Sequence, residues 1–357
     1  MTEHLTTLLA REAETLDVPP PPSGDILGAG RRLRRRRTGS IWGGAALAVA
    51  VVAGGSVLIG TGGDGRDIAP AASPPVQVAW AVDDTVYVGT DGRPVQMPEV
   101  AQSLYYTSAG IVVRTNKDGS SDGGAPFHFQ LVRTDGVASP LDLTLGDVIP
   151  STDPSQPYLA WATMSGGRIQ VVVHDVNTDQ DVAKVDVPGR FTWGGWEAPP
   201  VSLSGDQVYV ATDDKAQVVD WRTGASHLSD VVPGSTSLTV SGGHVLIWGR
   251  DSVQVLDAGS GKVLFHLDGR VNDASLSPDG RFAVVSQAGQ DRVHDLESGA
   301  TYQVSLSSWA WTYDDRAVFG VQGSTLQTCV LSTGRCQDVS VPRKAGSVRY
   351  PGVSYES

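Results

Sequence analysis

Lysine is scarce in this 357-residue chain, with five residues against 22 arginines; phenylalanine (six), methionine (three) and cysteine (two) are scarcer than is usual as well. A core poor in Phe and Met must be built from Val, Ala, Leu and Trp, and 42 glycines with 21 prolines break it up with turns. The Arg-over-Lys bias, beside abundant Ala, Gly and Val, is of the kind that GC-rich bacterial genomes produce. Charged residues make up 18% and hydrophobic residues 40%, which excludes a chain too polar to fold. No CxxC, GxSxG or HExxH motif occurs, so the thiol-redox, α/β-hydrolase and zincin classes lack their signatures. GSGKV at 259–263 imitates a phosphate loop, but Leu256 stands where Gly is needed and Val263 where Ser or Thr would hold magnesium. Ser277 to Gly280 is one residue short of a sialidase-type S-x-D-x-G box.

Positive charge is also missing from most of the chain. The net charge is −12, but residues 1–40 hold seven arginines against five acids, leaving 20 basic and 34 acidic residues beyond. A main segment this acidic repels phosphate backbones and argues against nucleic acid as a partner.

One long uncharged run is present. Ile41 to Gly60, IWGGAALAVAVVAGGSVLIG, is twenty residues without a charge, enough for a helix to span a bilayer core of about 30 Å. RRLRRRR, Arg31 to Arg37, precedes it, and the next charge is Asp64. That asymmetry predicts an uncleaved, single-pass signal anchor in the bacterial cell membrane, the N-terminus cytoplasmic and the rest extracytoplasmic. A signal peptide cleaved near Ala69 to Ser73 is the alternative, but its n-region would be about forty residues long. Small residues Ala46, Ala50 and Gly54 form one helix face, a possible seam for a weak homodimer. The tail (1–40) carries a short amphipathic helix with Leu5, Leu8, Leu9 and Leu16, stopped by Pro19 to Pro22. Residues 61–75, TGGDGRDIAPAASPP, read as a flexible linker reaching about 20 Å.

From residue 76 the pattern becomes short alternating strands. Seven turns align: TDGR 90–93, TDGV 134–137, NTDQ 177–180, RTGA 222–225, GSGK 259–262, ESGA 297–300 and STGR 332–335. Their spacings of 44, 43, 45, 37, 38 and 35 residues, at about four strands each, predict an all-β, seven-bladed propeller over 76–342, six or eight blades being the alternatives. The clearest unit holds NDASLS, RFAVVSQ, DRVHDLE and TYQVSLS, with SPDG, Ser277 to Gly280, as a type I turn. The first blade supplies three strands, and the missing one is expected from the tail 343–357 as a ring-closing strand. Cys329 and Cys336 bracket the last hairpin turn, CVLSTGRC. That spacing places them opposite each other, an oxidised pair outside the cytoplasm; two buried free thiols are the other arrangement.

SPDGRFAVV resembles the turn of WD-repeat-like and TolB-like propellers, and VHDVNTDQDVAKVDV is similar to the YVTN-type bacterial repeat, over about residues 76–342. No Trp-Asp dipeptide accompanies them. The tail, VPPPP break, polyarginine and single span resemble membrane-anchored actinobacterial proteins. Anti-sigma factors share that layout, yet their zinc-binding His/Cys helix has no counterpart, because residues 1–60 contain no Cys. The resemblance implies fold and placement and is silent on chemistry.

Tryptophan supplies the binding candidates. Trp80, Trp161, Trp309 and Trp311 read as first-strand residues lining the central channel, against the alternative of packing between blades. Trp193, Trp196 and Glu197 lie in an inter-blade connection, FTWGGWEAPP, where two glycines and two prolines leave little to bury them. His174 and His294 each precede an Asp at one point of the repeat, a structural position rather than a catalytic pair. TNKDGSSDGG, 115–124, lacks the alternating ligands of a calcium loop. No cofactor, metal or catalytic set is expected. The expectation is a non-enzymatic extracytoplasmic binding or scaffold propeller, held to the lipid bilayer by 41–60 and engaging a protein or glycan. The alternatives are a transmembrane sensor signalling through its tail, or a lactonase-like or glycan-cleaving hydrolase.

Overall fold

The computed structural model describes residues 77–120, 125–235, 238–287, 289–342 and 344–352. The expected anchor at 41–60, the expected cytoplasmic tail and the expected linker lie outside these. Among the described residues all regular structure is strand, arranged as seven four-stranded antiparallel sheets. The chain is therefore an all-β, seven-bladed propeller.

In blades two to seven the four strands follow chain order from the centre outward. Blade six shows the plan: Asp273–Leu276 innermost, then Phe282–Gln287, Gln290–Asp295 and Thr301–Val304 outermost. Ser277 accepts the Gly280 amide at 2.8 Å, closing the SPDG turn. Blade one is different. Its innermost strand is Val348–Arg349, paired with Ala79–Val82 from the start of the domain, Ala81 opposite Arg349. This closure covers the edge of Ala79–Val82 that the first three strands of the domain would leave open on their own. Tyr350 secures it, its hydroxyl accepting the Val321 amide of blade seven at 2.9 Å and its ring packing edge-on against Phe319. A chain ending at Lys344 is expected to expose the Ala79–Val82 edge and run as soluble aggregates in light-scattering chromatography; a monodisperse monomer would refute this.

The recurrent Asp at the third-strand end explains the aligned turns. Its carboxylate accepts backbone amides two or three residues on: Asp220 from Arg222 (3.0 Å) and Thr223 (2.9 Å), Asp257 from Ser260 (2.7 Å), Asp295 from Glu297 (3.0 Å). Such Asx turns bend the chain into the outer hairpin. A glycine then takes the left-handed conformation, φ +74° at Gly224, +72° at Gly261 and +73° at Gly299, which other residues adopt at a cost. Blade seven has Val330 in place of Asp, and there the Cys329–Cys336 disulfide staples the hairpin, the two cysteines directly opposed.

Adjacent blades are also joined around the centre. The innermost strands of neighbouring blades do not form a common sheet, so bonds from turns and side chains link them. Gly352 donates its amide to Leu104 O (3.2 Å), Ser108 to Gln156 O (3.1 Å), Leu203 to Ser151 Oγ (2.9 Å) and Val240 to Ser202 Oγ (3.0 Å). Ser241 Oγ donates to Pro278 O (2.6 Å), the Asp279 amide to Asp315 Oδ2 (2.6 Å) and the Tyr313 amide to Gln77 O (2.9 Å), completing the circuit.

Candidate functional site

The innermost strands enclose a channel cavity of about 630 Å³, lined from every blade. Its two ends differ. At one end lie the turns between first and second strands. Here Tyr313 of blade seven donates its hydroxyl to Pro154 O of blade three at 2.7 Å, a bond across the lumen with blades one and two between its partners. Tyr106 of blade two packs edge-on against Tyr313, with ring centroids 5.8 Å apart, and donates to Trp311 O at 3.3 Å. These side chains close that end. At the other end the inter-blade connections enter, and Ile149, Leu238, Asp273, Ser307 and Ser308 form the mouth. The described chain begins at the closed end, since Gln77 O is bonded to the Tyr313 turn.

The closed end holds a buried acid. Asp315, 1% exposed and at φ +54°, receives the Asp279 amide. Burial, reinforced by the facing Asp279 carboxyl, pushes its pKa up to about 9. No periodicity announces this residue; TYDDR reads only as a turn.

The tryptophans divide. Trp309 and Trp311 do line the channel, perpendicular to each other at 5.6 Å, and the Trp309 indole donates to Asp291 Oδ2 at 2.7 Å. Only Trp311 lies in a first strand; Trp309 stands just before it. Trp80 and Trp161 are elsewhere, which corrects their placement. Trp80 is in the second strand of blade one, fully buried and stacked on Tyr87 at 5.3 Å. Trp161 is in the second strand of blade three and also buried. The true first strands there are Val348–Arg349 and Ser151–Thr152, two residues each.

Trp193 and Trp196 lie on the mouth face but outside the channel lining, half-buried. Phe191 packs on Trp193 with centroids 5.0 Å apart. The connection is pinned on both flanks. Glu197 Oε2 accepts the Asp147 amide at 2.8 Å, and the Asp213 carboxylate accepts the Thr192 amide (2.9 Å) and hydroxyl (3.0 Å). Glu197 therefore joins two inter-blade connections. In the described part of the 115–124 loop, Asn116 and Asp118 accept backbone amides of Gly119 and Ser120.

The two repeated histidines differ. His294 is partly exposed beside Thr301, and burial lowers its pKa. His174 is buried, its Nδ1 3.0 Å from Asp181 and its Nε2 3.1 Å from Asp179. Asp179 also accepts the Asp142 amide of blade two at 2.9 Å, tying adjacent blades. Asp179 occupies the turn position that is glycine in blades four to seven, at φ +55°, and its side chain is what that position uses. Arg114, 1% exposed, lies 3.6 Å over the Phe127 ring. Burial lowers its pKa, opposed by Tyr105.

No family model and no curated protein matches the chain. Solved structures do resemble it. AztD from Citrobacter koseri is 13% identical, covering 78% of this chain and 99% of its own, at a TM-score of 0.47. TolB from Acinetobacter baumannii is 14% identical over 77% and 65% of the two chains, at 0.41. Kuenenia stuttgartiensis hydrazine synthase is 13% identical over 65% and 77%, at 0.40. None of these likenesses bears on ligand or activity.

Proposed function

We propose that the protein is a non-enzymatic binding propeller, anchored by residues 41–60 and displayed outside the bacterial cell membrane, that receives its ligand in the central channel. One observation carries this reading: the Tyr313–Pro154 bond bars the channel at the end where the described chain begins, whereas Asp273, Ser307 and Ser308 form a mouth on the opposite face. The Trp193 and Trp196 connection lies on that same face and would form a rim contact for a larger partner.

The lumen supports binding rather than catalysis. Ser151, Ser202 and Ser241 are engaged in the bonds that hold blades together, and among the described residues no histidine lines the cavity beside a hydroxyl. Ser275 is exposed in the lining, so Ser275→Trp fills the channel without disturbing packing. Crosslinked capture of a partner or ligand by the full chain on intact cells is expected to be lost in Ser275→Trp. It is expected to weaken in the Trp193→Ala/Trp196→Ala double variant. Undiminished capture by Ser275→Trp would sink the channel reading. Failure of an external protease to reach the propeller on intact cells would sink the placement.

A further inference from the structure

We propose that the channel takes a small organic ammonium ion, selected by an acidic wall on blade six; this rests on the channel being the ligand site. The cavity, about 630 Å³, has the size of a pocket for a small organic molecule. Among the described residues two carboxylates, Asp273 and Asp291, line it, and no lysine, arginine or histidine does. Arg349, on the innermost strand of blade one, is drawn to the Gly119 carbonyl at 3.4 Å.

The two acids belong to one row. Asp273 is paired in register with Ser286, and Ser286 with Asp291, so all three share one face of blade six. The Asp291 carboxylate is held by Ser286 Oγ on one oxygen and the Trp309 indole on the other. Asp273 is exposed at the mouth. A cleft lined by charge of one sign concentrates its field and draws in the opposite charge. Anionic ligands are repelled, and a neutral one gains at most hydrogen bonds to the acids, without the long-range attraction a cation feels. Trp309, partly exposed beside the buried Trp311, adds aromatic surface, which favours an ammonium group through its ring electrons. A bare metal ion fits poorly: among the described residues no three His, Cys, Asp or Glu side chains are grouped to hold one. An ammonium on a compact organic body uses both the acids and the rings.

The test titrates the full-length protein in detergent, following tryptophan fluorescence and heat. The probes are choline, lysine amide and spermidine, against 3,3-dimethylbutan-1-ol (the uncharged isostere of choline), glucose and phosphate. At least one ammonium probe is expected to bind, weakening as salt rises. Asp273→Asn should lower its affinity about tenfold or more, and Asp273→Lys should abolish it; the exposed position leaves the fold intact. Equal binding of choline and its neutral isostere, or unchanged ammonium affinity in Asp273→Lys, overturns the proposal. Glucose or phosphate binding that Ser275→Trp blocks, with no ammonium binding, also overturns it but leaves the channel reading standing. If no probe of any charge is blocked by Ser275→Trp, both fall.

Discussion

Replacing Asp315 by asparagine is expected to stabilise the protein at neutral pH and to flatten its pH dependence. The carboxyl is buried at the closed end of the channel, where its pKa stands at about 9 against an ordinary 3.8. Between those values the folded chain holds a proton that the unfolded chain has released. Stability is therefore fully present below pH 3.8 and declines as pH rises through the window to about 9. At pH 7 the deficit against acid conditions is about 2–4 kcal/mol. Asparagine keeps an oxygen for the Asp279 amide, carries no charge and tolerates the positive φ of this turn. Denaturant unfolding at pH 5 and pH 8 should show a wild-type midpoint that falls with pH and an Asp315→Asn midpoint that falls less. Parallel curves would show that Asp315 ionises without penalty.

The opposite sign is expected at His174. The ring is buried and its two nitrogens face two carboxylates, Asp181 and Asp179, so its removal leaves both acids without their partner. Burial raises the Asp181 pKa, yet the hydrogen bonds from His174 and Lys184 outweigh it and leave that carboxyl below its usual range. Its contribution is present above the ordinary carboxylate pKa and is lost as pH falls through the lowered one. His174→Leu keeps the bulk but leaves Asp179 and Asp181 facing an apolar side chain. The Asp142 bond between blades two and three loses its support as well. The two carboxylates are about one-third exposed, so solvent tempers the penalty, and a loss of about 1–3 kcal/mol follows, or roughly 2–6 °C in Tm. A thermal scan at pH 6.5 checks it, and a shift under about 2 °C would mean the pair is solvated in practice. The triple variant His174→Leu/Asp179→Gly/Asp181→Val is expected to recover most of the loss, because it removes the stranded charges and restores the glycine found in blades four to seven.

These two residues mark how far the sequence could be read. The outer hairpins were legible because one chemical device, an Asp accepting the amides ahead of it, recurs at a fixed place near Asp220, Asp257 and Asp295. The cysteine pair was legible for a similar reason, since the turn length alone sets its register. The centre of the ring was not. Ser151–Thr152, Val240–Ser241 and Ala310–Trp311 are two residues long, too short to show alternation, so Trp161 was read one strand too far inward. The same error moved Trp80, whose strand becomes second only once the C-terminal strand is laid beside it. Asp315, Tyr313 and the blade-six row of Asp273, Ser286 and Asp291 depend on neighbours distant in sequence, which a single chain does not announce.

The pairing of Ala81 with Arg349 also sets a timetable. Six blades are each local in sequence and can fold as they emerge from the ribosome. Blade one cannot. Its first three strands are made earliest yet wait, with an edge exposed, until the final inner strand arrives. Contacts of such long sequence separation form slowly, and chains caught before forming them are prone to associate. The ring closes only when Val348 and Arg349 are delivered, so a chain stalled before them during synthesis leaves blade one without its inner strand.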